Sequence, residues 1–253
     1  MRTTRLMQRA AFRLAAVFTA AFAQPAAAWA FGSGGRVWLP EGITTTSPVI
    51  DRLFYVVLTL TGVVFVLVQL TLVVFLIRYR RDPQRRATYT HGNTLAEVVW
   101  TAIPAAILVA LAFYSQGVWS LIRGTPPPPD LEVEITGEQF AWNFRYAGAD
   151  GQLKTDDDIL TINQLHLPVD KTVLFHISSK DVIHSFFVPQ FRMKQDAVPG
   201  LISRMWVHPV RMGNFDVACA ELCGLGHYRM RGFLVIEPEA AYQTWLGEML
   251  AEQ

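Results

Sequence analysis

The sequence predicts a membrane-anchored α+β protein, in which an N-terminal two-helix transmembrane hairpin carries a C-terminal β-sandwich. Three observations point there. The first is a pair of charge-free apolar runs, residues 53–77 and 98–122, in a 253-residue chain that is 51% hydrophobic and only 17% charged. Such a composition belongs to a membrane component rather than to one soluble domain. The second is a run of four prolines, Pro126 to Pro129, after which continuous apolar stretches give way to period-two alternation. The third is the partition of charge. Residues 130–253 hold 17 Asp/Glu against 10 Lys/Arg, a balance of −7, while the first 129 residues hold 12 Arg and 4 acids, although the whole chain is near neutral at +1. A basic membrane half and an acidic outer half do not suggest nucleic-acid binding; they suggest an anionic domain facing a cationic partner.

Taken in order, residues 1–30 read as a secretory signal peptide. Arg2, Arg5, Arg9 and Arg13 form its basic region, residues 14–23 its apolar core, and Ala28-Trp29-Ala30 a small-x-small cleavage site. Ten apolar residues are too few to span a bilayer. Residues 31–50 then form a short exported segment. Residues 51–123 form the hairpin, each apolar run making a helix of roughly 38 Å, enough to cross a ~30 Å hydrocarbon core with some tilt. Arg78, Arg80, Arg81, Arg85 and Arg86 lie between the runs, so the positive-inside rule makes that loop cytoplasmic and turns both flanks outward. Thr94 and Glu97 have capping-box spacing at the start of the second helix, where an acid also suits the macrodipole.

Gly124, Thr125 and the four prolines form a stiff linker, and residues 124–253 form the outer domain. Leu131, Val133 and Ile135 alternate with Glu132 and Glu134, and Phe140, Trp142, Phe144 and Tyr146 fall at period two on one face. Residues 173–177, 182–188, 203–207, 214–219 and 233–236 continue the pattern of short strands separated by turn residues, which predicts a sandwich. Residues 239–252 should close the domain as an amphipathic helix with Tyr242, Trp245, Leu246 and Leu250 on its apolar side. His166, His176 and His208 read as ordinary strand or loop histidines, and Asp156-Asp157-Asp158 as a solvated acidic turn.

The chemistry-bearing stretch is Cys219-Ala-Glu221-Leu-Cys223-Gly-Leu-Gly-His227-Tyr-Arg-Met230, which contains both cysteines of the chain. Two thiols, an imidazole and a thioether suit copper better than a hard cation, which asks for oxygen. Three residues separate the cysteines, so the haem-attachment spacing is absent, and zinc would normally bring a second Cys/His pair at its own spacing. The cysteine pair alone is equally compatible with a disulfide. His227, Met230 and the upstream His184, in an apolar strand, turn the balance to copper.

These residues resemble subunit II of the haem-copper (cytochrome c) oxidases. The segment Asp181-Val182-Ile183-His184-Ser185 is similar to the family's D-V-x-H-S, and Cys219 to Met230 to its C-x-E-x-C-G-x-x-H-x-x-M. The resemblance runs from about Asp51 to the end of the chain and implies a cupredoxin-like Greek-key domain with a dinuclear copper A centre. It further implies that both thiolates bridge two copper ions, that His184 and His227 each bind one, and that Met230 sulfur and the Glu221 carbonyl are weak outer ligands. The Glu221 side chain would reach magnesium at the interface with the catalytic subunit. The segment from Glu97 through Trp100-Thr101 to Pro104 resembles the place where the family has a glutamate at the mouth of a proton channel. Where the family commonly reads G-x-Q-W-x-W, this chain has Gly137-Glu138-Gln139-Phe140-Ala141-Trp142. Phe140 therefore stands at the expected electron-entry position, with Trp142 the alternative.

The function so implied is that of the electron-accepting subunit of a proton-translocating terminal oxidase. It would be a two-span protein of a bacterial-type inner (plasma) membrane with its C-terminal domain on the outer face. Electrons would come one at a time from cytochrome c and pass to haem held in the catalytic subunit, with other oxidase subunits and the lipid bilayer as further partners. A quinol oxidase subunit would lack the copper ligands present here. A membrane-anchored copper carrier would have to release a metal that six ligands enclose. A copper A subunit of a nitric oxide reductase-type complex is disfavoured by the Glu97 segment and the hairpin.

Overall fold

The computed structural model describes residues 39–87 and 89–251. The signal peptide expected over 1–30, and residues 31–38 of the 31–50 segment, lie outside the described residues. The chain divides after Glu41, and the described helices and strands belong to the unit of residues 42–253.

Helix α1 (Ser47–Arg78) and helix α2 (Thr94–Arg123) have 32 and 30 residues, or about 48 and 45 Å of helix. Each outruns its apolar stretch, and Ser47 to Arg52 continue α1 beyond the membrane-length segment. Pro48 sits in the first turn, where its missing N–H would have had no helical partner. Phe65, Leu67, Leu76, Leu108 and Phe113 are each more than half exposed. Side chains of this kind, on helices that satisfy their own backbone, belong against lipid or other membrane helices. The two helices are the transmembrane hairpin.

The start of α2 differs from the capping-box expectation. Asn93, not Thr94, is the N-cap, and its Oδ1 accepts from Ala96 N at 3.1 Å. Asn is at least as good a cap as Thr and comes one residue earlier, which moves Glu97 one place past the position from which a capping box closes. Glu97 is exposed, and its carboxylate folds back over Gly92.

The outer domain is a two-sheet sandwich built from β1 (Leu131–Glu138), β2 (Ala141–Tyr146), β3 (Ile159–Ile162), β4 (Gln164–Pro168), β5 (Val173–Ser179), β6 (His184–Val188), β7 (Met193–Ala197), β8 (Ser203–Val207), β9 (Gly213–Cys219) and β10 (Arg231–Glu237). The sheets have strand orders β3-β2-β1-β5-β8 and β4-β10-β9-β6-β7. Pairing is antiparallel except for β1 with β5 and β4 with β10. Non-sequential neighbours in both sheets require the crossovers of a Greek key, and the architecture is cupredoxin-like. Inward positions of each strand fill the core: Val133 and Ile135, Trp142, Phe144 and Tyr146, Phe175 and Ile177, Phe186 and Val188, Leu234 and Ile236 are all buried. Helix α3 (Glu239–Ala251) closes the domain, with Trp245 stacked on His166 at 4.2 Å and edge-on to Tyr146 at 5.2 Å.

Three strands were not separable in the sequence. β3 is four residues long and meets β4 through the left-handed Asn163 (φ 57°). β7 is an edge strand whose interior is Lys194-Gln195-Asp196, so no apolar alternation marks it. The stretch expected over 182–188 begins only at His184, because the Asp181 carboxylate takes the Val182 N–H at 2.6 Å and turns the chain there. The aromatic stripe is shortened too: Phe140 leaves the strand face for the β1–β2 turn, while Trp142, Phe144 and Tyr146 remain fully buried. The sandwich is tied to the hairpin at both helix ends. Arg192 forks onto Asp51 at 2.6 and 3.2 Å, and Arg123 of α2 reaches Gln195 and the Lys194 carbonyl.

Candidate metal centre

In the second sheet β10, β9 and β6 are adjacent, and a donor stands at or beside one end of each. His184 opens β6, Cys219 closes β9, and Met230 immediately precedes β10. Residues 220–230 loop between β9 and β10, and backbone bonds fix the base of the loop: Ala220 N to Ser185 O at 2.9 Å, and Cys219 N to Met230 O at 3.3 Å. The loop's tight path depends on Gly226, where a β-carbon would come within 2.4 Å of the Phe140 ring.

All the donors named from sequence meet there. The sulfurs of Cys219 and Cys223 are 3.8 Å apart and both cysteines are free, far from the ~2.05 Å of a disulfide. Cys219 Sγ lies 3.9 Å from His184 Nδ1 and 3.2 Å from the Glu221 carbonyl oxygen. Cys223 Sγ lies 3.6 Å from His227 Nδ1 and 3.8 Å from Met230 Sδ. Each sulfur thus has its own imidazole and its own weak donor, a two-lobed set sharing a sulfur pair. The donor chemistry, two thiols, two imidazoles, a thioether and a carbonyl, fits soft or borderline ions such as copper.

Electrostatics at the site favour a cation. Burial, and then the neighbouring Cys219, push the Cys223 thiol up to about 11, so two ionised sulfurs side by side require positive charge between them. His184 is fully buried, and its Nε2 donates to Asp181 Oδ1 at 2.8 Å, which leaves the Nδ1 lone pair facing Cys219. Burial raises the Asp181 carboxyl, but the His184 imidazole and the N–H groups of Gln139 and Val182 outweigh it and hold the group at about 2. The backbone N–H of Gln139 donates to Asp181 at 2.8 Å, and its side-chain amide donates to the Cys223 carbonyl. Asp181 and Gln139 are supporting residues that the sequence motifs contain but to which sequence reasoning gave no role. The available signal was an acid three residues ahead of the histidine, close enough to reach its far nitrogen.

The remaining residues singled out from sequence fall around this cluster or away from it. Phe140 is partly exposed and lies on the Gly226 segment of the loop. Trp142 is fully buried, edge-on to His184 with ring centroids 6.0 Å apart. The Glu221 side chain is exposed, while its carbonyl faces Cys219. Glu97 stands apart, in the first turn of α2.

Two family models and curated relatives match this chain. Residues 131–237 match the family model described as cytochrome c oxidase subunit II, periplasmic domain, and residues 35–118 match the one described as its transmembrane domain. The alternative cytochrome c oxidase subunit 2 of Bradyrhizobium diazoefficiens is 36% identical over 233 residues, covering 83% of this chain and 82% of that one. The cytochrome c oxidase subunit 2 of Thermostichus vulcanus is 31% identical over 261 residues, covering 82% and 77%. Among solved structures, the periplasmic domain of subunit II of cytochrome oxidase from Bradyrhizobium japonicum is 25% identical, with a TM-score of 0.45 over 51% of this chain and 99% of that one. The chain belongs to the cytochrome c oxidase subunit II family.

Proposed function

We propose that this protein is the electron-accepting subunit of a terminal oxidase, with a dinuclear copper A centre held by Cys219, Cys223, His184, His227, Met230 and the Glu221 carbonyl. One observation carries the reading: two unbonded sulfurs 3.8 Å apart, each beside a different imidazole nitrogen. When bound, the copper pair takes up and gives back one electron at a time. The chain's own residues keep the donors in place: Asp181 fixes the His184 ring, Gln139 ties the β1–β2 turn to the cysteine loop, and the sandwich core excludes water from below. His184, Cys223 and Met230 are at least 97% buried, which suits a resident cofactor and not a cargo to be released.

Electrons from cytochrome c would enter at the exposed Phe140 edge, or at Trp142, which packs edge-on to His184, and would leave for haem in the catalytic subunit. The exposed Glu221 carboxylate would reach magnesium at that subunit interface. The arginine-rich loop is cytoplasmic, the sandwich stands on the outer face of a bacterial-type inner membrane, and Glu97 at the cytoplasmic end of α2 feeds protons to the catalytic subunit. In that role Glu97→Gln should lower turnover of the assembled oxidase while copper reduction stays fast; normal turnover would remove the role.

Stopped-flow mixing of reduced cytochrome c with the copper-loaded full chain tests the reading. Surface charges beyond about 8 Å are screened at physiological salt, so reduction of the anionic domain by a cationic donor should slow as salt rises. Phe140→Ala should slow electron entry more than it weakens docking, and Phe140→Trp should leave it intact. A copper centre that the donor does not reduce would contradict the function.

A further inference from the structure

Where the hairpin meets the sandwich, a cleft of about 390 Å³ opens between the outer ends of α1 and α2 and strand β7. Its floor is apolar, with Ile50, Leu53 and Val118 among the lining residues, and its rim is cationic. Arg123 ends α2 with its guanidinium 5.7 Å above the Trp119 ring, and its bonds to the sandwich go to neutral acceptors, Gln195 Oε1 and the Lys194 carbonyl. Lys194, across the cleft, is more than half exposed and lies a loose 3.9 Å from Asp196. Arg192, also on the rim, is already matched by Asp51. With Arg123 on neutral acceptors and Lys194 only loosely paired with Asp196, the rim stays net positive.

Depth decides what kind of anion suits it. A tryptophan and an arginine at the end of a transmembrane helix mark the headgroup level of a bilayer, and the apolar floor below them continues along the two spans. A soluble anion would use only the rim. We propose that this cleft binds an anionic phospholipid of the outer leaflet, its phosphate against Arg123 and Lys194 and an acyl chain along α1 and α2. The lipid would brace the sandwich against the membrane beside the Asp51–Arg192 pair.

The probe is dibrominated phosphatidylglycerol against dibrominated phosphatidylcholine, added to the full chain in neutral detergent. The difference between the parent and Trp119→Phe isolates quenching at Trp119. Phosphatidylglycerol should quench Trp119 at lower mole fraction than phosphatidylcholine. Arg123→Gln or Lys194→Gln should each weaken that preference about fivefold, the weight of one basic group near an anionic headgroup, and Arg123→Lys should keep it. Inorganic phosphate should not relieve the quenching. In the assembled oxidase, native mass spectrometry should find phosphatidylglycerol retained by the parent and lost from the double Gln variant. Equal quenching by the two lipids, a preference that survives both substitutions, or relief by inorganic phosphate would overturn the site. So would an assembled complex whose lipid content is the same with and without the two cations, because a neighbouring subunit would then fill the cleft.

Discussion

His184 has no choice of tautomer. Its Nε2 is committed to Asp181 at 2.8 Å, and Gly137 lies under the ring, so close that a β-carbon there would sit 2.9 Å from His184 Cδ2. The Nδ1 lone pair is thereby aimed at Cys219 before any ion arrives. Carboxylates placed behind a ligating imidazole commonly contribute 10–100-fold to metal affinity. Asp181→Ala should weaken copper binding by roughly that factor, measured by competition with a copper chelator on the full chain. It should also loosen the β1–β2 turn, since the Gln139 N–H loses its acceptor. An affinity equal to the parent's would show that packing alone orients the ring.

At the scale of elements, the first sheet is cross-linked on its solvent side by a buried carboxylate. Asp158 accepts from Arg145 Nη1 of β2 at 2.8 Å and from the Lys154 N–H at 2.6 Å. Burial works to raise its pKa, but Arg145 and the Lys154 N–H bring it below the usual carboxylate value. A depressed folded pKa stabilises above the unfolded value, about 3.9, and the contribution disappears as pH falls through the folded value. Asp158→Asn should therefore cost about 1–2 kcal/mol at neutral pH, with the gap in melting temperature closing below about pH 4. A gap independent of pH, followed by near-UV circular dichroism, would contradict this. The sequence named Asp158 only as part of a solvated acidic turn, because a partner in another strand is invisible to local pattern. The same limit explains the strands that went unseen: β7 offers only Met193 and Ala197 to the core, and its pairing with β6 comes from register rather than composition. Strands with clean alternation, such as Leu131 to Ile135, were legible, as were both membrane helices. Residue type and spacing singled out Cys219, Cys223, His227, Met230 and His184, while the Glu221 carbonyl came only from the family resemblance. What supports these donors, Asp181 and Gln139, depends on a turn that only the folded chain brings to the cysteine loop.

At the scale of the molecule, the donor cluster is carried on a sandwich whose lower edge is clamped to the hairpin. Besides the Asp51–Arg192 and Arg123 contacts, Ile43 N bonds Gln190 O at 3.1 Å and Val210 N bonds Ile43 O at 2.8 Å, pinning the chain just before α1. Buried hydroxyls of Thr44 and Ser47, 2.7 Å apart, fill the junction. Such attachment ties the donor cluster to the outer ends of the two spans, as the proposed electron delivery to a membrane-embedded partner would require. The proposed function depends on two ions sharing one sulfur pair. Electron paramagnetic resonance of the copper-loaded full chain, alongside its copper content by elemental analysis, tests that most directly. Two copper ions per chain should appear, with the hyperfine pattern of one unpaired electron shared between two nuclei, and Cys219→Ser or Cys223→Ser should abolish the pattern. One copper per chain with single-nucleus hyperfine structure, or a signal unchanged in the serine variants, would contradict the dinuclear centre.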